Sequence, residues 1–383
     1  MPPRPSPDVV IVGGGVIGAS IAYHLTTRGV KNVLVLERDT LGAGSTSKNA
    51  GGIRLQFSSE INVLLSQRSI PRFETFADEM GIDIQFQQVG YLFLITEERD
   101  EAAFEHSLGL WSRLGVPAQR LDRQQIHAVF PELTTEDVRF GTFCAKDGHA
   151  DPSSILSGYV TKARAGGARF REHAAVTAID LAGGRVRGVR IGEERIACDV
   201  VVDAAGPWAP MIGSLAGVEI PIRPLRRQIF VTDRLPWLTH PIPLTVEFAT
   251  TFYLHRESGG ALLGMADPAD TPGYNETVNW DFLPAIVERA LARVPLLANS
   301  GIRLGWAGMY EDTPDKHPVL GCVDQVEGFI VAAGFSGHGL MHAPATGELI
   351  AELITDGRTS LDITPLALSR FARGKPVREF NVI

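Results

Sequence analysis

The 383-residue sequence predicts an α/β fold in which a doubly wound, parallel-sheet domain is interleaved with an α+β domain built on a mainly antiparallel sheet. Three observations predict it. In VVIVGGGVIGASIAYHL an apolar run, Val9 to Val12, meets glycines and then an apolar segment of helical spacing. The same strand-to-glycine pattern returns in FIVAAGFSGHG. Between them, roughly from Pro221 to Ala307, the chain breaks into short β-rich runs separated by turn residues.

In chain order, Val9 to Val12 carry no polar residue, as a strand buried on both faces requires, and Ile17, Ile21, Ala22 and Leu25 follow at helical spacing. VLVLE, Val33 to Glu37, is a second parallel strand, and residues 38–57 form a glycine- and serine-rich connection of a length suited to wrapping a ligand. Helices are expected from Glu60 to Gly81 and from Glu98 to Leu114, with the strand GYLFLIT between them. Asp151 to Gly167 is a helix with Asp151 or Ser153 at its cap and glycines at its end. VRGVRI is a strand and IACDVVVDAAG another, ending at Gly206; RRQIFVT, TFYLHR and ALLGMA form the antiparallel sheet, interrupted by a helix from Trp280 to Arg293. HAPATGELIAELI supplies the last helix. This order divides the chain into one nucleotide-binding domain (1–80, 150–215 and 315–383) and one substrate domain (81–149 and 216–314).

Composition narrows the function. With 44% apolar and 21% charged residues, a net charge of -8 and a pI near 5.7, the chain is an ordinary globular protein with no long-range attraction for nucleic acid. The expectations are no nucleic acid, no membrane span and a cytoplasmic location, since MPPRPSPD lacks the apolar core of a signal peptide and no 18-residue apolar window occurs. Cys144, Cys198 and Cys322 read as small buried apolar residues. No HExxH, CxxC or GxSxG stands in the sequence, so metal hydrolysis and serine chemistry have no support and no metal is expected.

Gly13, Gly15 and Gly18 form GxGxxG directly after a strand and at a helix start, where glycines permit the turn and helix N–H groups meet phosphate charge. Glu37 ends the second strand nineteen residues past Gly18, where a carboxylate can accept both ribose hydroxyls. A dinucleotide in a Rossmann-type domain follows. The long loop after Glu37, the late AAGFSGHG strand end and the absence of a second glycine fingerprint favour FAD over NAD.

The fingerprint, GAGSTSKNAGGIR (42–54), VVVDAAGPWA (200–209), GWAGMYEDTPDKHPVLG (305–321) and AAGFSGHGLMHAPATGE (332–348) together resemble the FAD-dependent D-amino-acid oxidase and glycine oxidase superfamily. Within it the chain is most similar to the sarcosine oxidase, dimethylglycine and L-proline dehydrogenase branch. The resemblance implies hydride removal from the carbon next to an amine, with oxygen or another electron acceptor, and leaves open whether further subunits take part. Sarcosine is the substrate expected first, L-proline or dimethylglycine the alternative. A non-catalytic FAD-binding assembly protein is the rival of another class.

Carried over residue by residue, the resemblance places Val16 and Ile17 at the fingerprint helix and Glu37 and Arg38 at the adenosine end, with Val176 at the adenine side. It places Ser45, Thr46, Ser47, Asn49, Ala50, Gly51 and Gly52 along the pyrophosphate and flavin loop, and Ala205, Gly206 and Trp208 below the cofactor. Gly334, Gly337, His338, Gly339, Leu340 and Met341 bring backbone N–H groups toward the isoalloxazine, although His338, flanked by glycines, also reads as a turn residue. Arg54 is the expected substrate-carboxylate anchor, because a guanidinium meets a carboxylate with two parallel bonds. Tyr253 and Tyr310 resemble the paired active-site tyrosines of sarcosine oxidases, and Tyr310 stands where glycine and D-amino-acid oxidases place an arginine. Three departures carry consequences. Gly308 and Asn49 occupy the places of the flavin-tethering cysteine and histidine, which implies noncovalent FAD. Leu262 replaces the lysine that promotes reaction with oxygen. Met341 replaces a lysine that assists the arginine, so the second anchor is missing or comes from elsewhere; Arg226, Arg227, Arg256 and Arg303 are the arginines to search if Arg54 is not the anchor.

Overall fold

The computed structural model describes residues 6–374 and 378–382; most of the proline-rich lead, Lys375–Val377 and Ile383 lie outside the described residues. A six-stranded sheet runs in the order Val319–Cys322, Phe329–Ala333, Val201–Asp203, Val9–Val12, Val33–Leu36, Arg169–Arg171, parallel except for its first strand. Both of its faces are covered, and this is why its strands are apolar throughout. Val9 and Ile11 pack into one core cluster, while Val10 and Val12 pack into another on the opposite face. The Val16–Thr27 helix is buried along nearly its whole length, packed between this sheet and the helix Gly339–Asp356.

An eight-stranded sheet forms the second layer, in the order Ile302–Asp312, Arg223–Thr232, Gly260–Gly264, Phe252–Glu257, Leu244–Glu247, Tyr91–Ile95, Phe140–Cys144, Ala118–Leu121. All its pairings are antiparallel except that of Leu244–Glu247 with Tyr91–Ile95. Alternation again decides the faces. Tyr91, Phe93, Ile229 and Tyr253 join the cluster shared with the first sheet, whereas Leu92, Leu94, Phe230 and Leu254 join a third cluster under the helix Leu283–Arg293.

Several boundaries differ from the sequence reading. IACDVVVDAAG is not one strand: Glu194–Ile196 closes a three-stranded antiparallel sheet, and Val201–Asp203 enters the main sheet. Exposed Asp199 stands at the bend between the two strands and marks the break, which the apolar residues on either side obscure. The last helix starts at Gly339, three residues before HAPATG, and the first expected helix divides at Thr75 into Glu60–Glu74 and Phe76–Met80. Asp151 does cap its helix, accepting from Ser154 N at 2.7 Å. Cys322 is exposed, unlike Cys144 and Cys198.

Candidate active site

Four parallel strands deliver their carboxyl ends to one cavity of about 490 Å³, which extends to the facing side of the eight-stranded sheet. At one end lies the glycine turn. Gly13 has φ +115°, and a Cβ there would lie 2.3 Å from Ala204 O; a Cβ at Gly18 would lie 2.0 Å from Gly13 O. Only glycine permits this closeness of strand and helix. The start of the Val16–Thr27 helix has no side-chain cap and opens on the cavity. Glu37 is fixed beside it: Oε2 accepts from Gly14 N at 2.8 Å and Oε1 from Asp39 N at 2.9 Å. Thr46 Oγ1 accepts from Val16 N at 3.0 Å, and Ser45 Oγ donates to Met309 O at 2.6 Å, which ties the long loop to both sheets. Asn49 spends its amide on the loop itself, donating to Thr46 O and accepting from Gly51 N. Arg38 lies 3.7 Å from the Trp208 ring centre, and Trp208 stacks on Tyr274 at 5.9 Å.

The other end gathers two arginines, three phenols and a histidine. Arg54 lines the cavity yet is 1% exposed. Its Nη1 donates to Gln56 O and its Nη2 to Asn381 O, with His338 Nε2 at 3.4 Å from Nη2 and the Phe57 ring centre 3.9 Å from Cζ. Among the described residues no carboxylate comes within 4.0 Å of it. Two carbonyls occupy two of five N–H donors and, among the described residues, leave the guanidinium without a contacting carboxylate, a costly arrangement in a buried site unless an anion completes it. Arg227 is the second such cation. Its guanidinium sits 4.9 Å from the Tyr310 ring centre, and among the described residues its Nε is buried without a partner and Nη1 reaches only Arg226 O. Arg226, on the opposite face of the strand, is bound to Asp270 and is not free for substrate.

Tyr91, Tyr253 and Tyr310 stand close together: Tyr310 helps to raise both other phenols, and Tyr91 that of Tyr253. Burial is the larger cause in each case and holds all three above the ordinary tyrosine range, so they remain neutral hydrogen-bonding groups. The Tyr310 ring lies against the backbone of Gly337, where a Cβ would come within 2.5 Å of it. His338 is held well below the usual histidine range, first by burial and then by Arg54, and its Nδ1 has no partner among the described residues. Beneath them Glu311 Oε2 accepts from Gly334 N at 2.8 Å, and burial pushes its carboxyl up to about 7.

Of the residues singled out in the sequence, Gly13, Gly15, Val16, Ile17, Glu37 and Arg38 line the cavity, as do Ser45, Thr46, Asn49, Ala50, Gly52 and Arg54. Val176, Ala205, Gly206, Trp208, Tyr253 and Tyr310 line it too, with Gly337, His338, Gly339, Leu340 and Met341. Four do not. Gly18 serves helix packing, Gly51 makes a turn against Ala150 O, Ser47 is exposed on the loop's outer side, and Gly334 spends its N–H on Glu311 instead of the cavity. Sequence reasoning missed Tyr91, and it reached Arg227 only as one of four arginines. Their strands give no local sign of facing a cavity; a β register spanning over 150 residues puts Tyr91 opposite Leu244.

The cavity fits a dinucleotide. Glycine cradles bring backbone close at one end, and two uncapped helix starts, of Val16–Thr27 and Gly339–Asp356, face it from two sides. Residues 8–353 match the family model DAO, FAD dependent oxidoreductase. FAD-dependent oxidoreductase domain-containing protein 1 of Xenopus laevis is 32% identical over all of this chain and 86% of its own length. Mitochondrial dimethylglycine dehydrogenase of Rattus norvegicus is 29% identical over 96% of the chain, which spans 45% of that protein. The crystal structure of L-proline dehydrogenase from P. horikoshii superposes with a TM-score of 0.92 at 33% identity, covering 97% of this chain and 99% of that one. With the cavity formed as a dinucleotide cradle at one end and a chamber of two arginines, three tyrosines and a histidine at the other, the chain belongs to the DAO family of FAD-dependent oxidoreductases and is a flavin-dependent amino-acid oxidoreductase.

Proposed function

We propose that this enzyme oxidises a small secondary or N-methylated amino acid, sarcosine first and L-proline or dimethylglycine as the alternatives, with noncovalently held FAD. The observation that carries the reading is Arg54, a buried cation on the cavity wall with no carboxylate partner among the described residues. An amino-acid carboxylate supplies the missing charge. Arg227 stands on the same side as Tyr310 and serves as the second cation that the methionine at position 341 does not provide. Tyr91, Tyr253 and Tyr310 offer apolar ring faces and neutral hydroxyls, a wall suited to a nitrogen carrying carbon substituents. Neutral His338 adds no positive charge beside the amine. When bound, the flavin takes up the hydride equivalent from the carbon next to that amine. Noncovalent binding is supported by Gly308, which has no side chain, and by Asn49, whose amide is occupied within its own loop.

Anaerobic bleaching of the bound flavin by sarcosine, L-proline, dimethylglycine, glycine and D-alanine tests the substrate class, with acid precipitation of the same sample testing the linkage. Faster reduction by the first three and intact FAD in the supernatant are expected. Faster reduction by glycine or D-alanine contradicts the substrate class, and flavin retained on the precipitate contradicts the linkage. Peroxide yield in air then identifies the electron acceptor.

A further inference from the structure

Residues 378–382 lie more than 300 residues after Arg54 in the chain yet pack against it at the substrate end of the cavity. Glu379 is 1% exposed and has no cationic partner within 4.0 Å among the described residues. Its charge is instead met by six hydrogen bonds. Oε1 accepts from Ser58 N at 2.7 Å, Ser58 Oγ at 2.5 Å and Asn381 N at 3.0 Å. Oε2 accepts from Ser59 N at 3.1 Å, Ser59 Oγ at 2.7 Å and Asn62 Nδ2 at 3.0 Å. A carboxylate with three donors on each oxygen is saturated, so the segment is locked in one register on the Ser58–Asn62 turn.

The lock ends at the substrate arginine. Two residues after Glu379, Asn381 is fully buried; its carbonyl accepts from Arg54 Nη2, and its Nδ2 donates at 3.3 Å to Gln56 O, the same carbonyl that accepts from Arg54 Nη1. Both carbonyls that orient the guanidinium are therefore set by this short segment, one directly and one through the Asn381 amide. An arginine has several rotatable bonds, and without such a collar it would sample many directions in a cavity this size. The carbonyls occupy one N–H on each terminal nitrogen and leave the remaining donors for an anion.

We infer that residues 378–382 form a positioning strap for the substrate-binding arginine, with Glu379 as its latch and Asn381 as its contact. The inference rests on the reading of Arg54 as the carboxylate anchor. It assigns no chemistry to the strap: Glu379 and Asn381 act through Arg54, by fixing where its free N–H groups point.

The test compares holoenzyme of wild type, Glu379→Ala, Arg54→Ala and the double variant, by KM and kcat for sarcosine and L-proline and by the Kd of propionate read from the flavin absorbance spectrum. Glu379→Ala is expected to raise KM and the propionate Kd about tenfold while kcat falls by less than about threefold and FAD content holds. In the Arg54→Ala background it is expected to add almost nothing, since both changes remove one interaction. Unchanged propionate affinity in Glu379→Ala, or a full additional loss on top of Arg54→Ala, overturns the strap. If Glu379→Ala does not fold, Glu379→Gln and Asn381→Ala carry the same comparison, each expected to weaken propionate severalfold with normal FAD. Propionate binding needs no turnover, so failure of sarcosine and L-proline to reduce the flavin speaks against the proposed substrates alone. Propionate affinity that Arg54→Ala does not alter removes the anchor and the strap with it.

Discussion

At the scale of single residues, the site is defined by charges left without partners. Buried ion pairs elsewhere in the chain are complete: Arg293 meets Glu247 and Asp137, and Arg370 meets Asp315 with both terminal and inner nitrogens. Arg54 and Arg227 are different, and both line the cavity that holds Tyr91, Tyr253 and Tyr310. A change of Arg227 to alanine removes one charged hydrogen-bonding group from a partly buried chamber, worth about 1.5–3 kcal/mol or roughly 10- to 150-fold in kcat/KM. Steady-state kinetics with the preferred secondary amino acid measures this; an unchanged kcat/KM would place the second anchor elsewhere. The cavity position of Arg54 was legible because the residue closes a recognisable loop motif. That of Arg227 was not, because alternation on its strand separates it from Asp-bound Arg226 only once the sheet is known.

Elements explain where the glycines are needed. Gly337 and Gly357 bracket the Gly339–Asp356 helix, both with positive φ, +95° and +68°. Their surroundings differ: a Cβ at Gly337 meets the Tyr310 ring at 2.5 Å, whereas one at Gly357 meets nothing within 4 Å. Gly357→Ala should therefore cost only backbone strain, about 1 kcal/mol of stability, with kinetics intact. Gly337→Ala should in addition displace Tyr310 and lower kcat/KM and FAD occupancy together. Equal behaviour of the two variants, in melting temperature and in kinetics, would remove the close approach of Tyr310 from the account. Sequence pattern located this turn because strand, glycines and helix are contiguous. It failed at residues 194–203, where the chain passes from one sheet to another at Asp199 within a stretch read as a single strand, and at the strap, whose partners lie more than 300 residues earlier in the chain.

For the whole molecule, the cavity exists because two sheets present complementary faces, and its wall includes Glu311, whose carboxyl burial pushes up to about 7. Glu311 titrates at about 7 in the fold against an ordinary 4.5, so between those values the folded chain holds a proton that the unfolded chain has lost. Its contribution is fully present below pH 4.5 and disappears as pH rises to about 7, on the order of 3 kcal/mol in all. Buried histidines titrate in both proteins, so the informative quantity is the difference in melting temperature between wild type and Glu311→Gln with FAD in excess. That difference should shift steadily against wild type from pH 4.5 to 7 and stay level above; a pH-independent difference would mean that Glu311 is ionised throughout.

The central claim is that a cradle for FAD and an anchor for an amino-acid carboxylate meet in one cavity, with Arg54 serving only the second. Anaerobic flavin reduction by sarcosine or L-proline in wild type and Arg54→Ala, with FAD occupancy determined on the same samples, tests it most directly. Loss of a buried charged partner is worth about 2–5 kcal/mol, roughly 30- to 5,000-fold in kcat/KM. Arg54→Lys should recover part of this, since the ammonium keeps the charge and loses the planar fork. The predicted result is that loss at normal FAD content; near-normal reduction by an FAD-replete Arg54→Ala enzyme would contradict the claim, as would a variant that has lost its FAD.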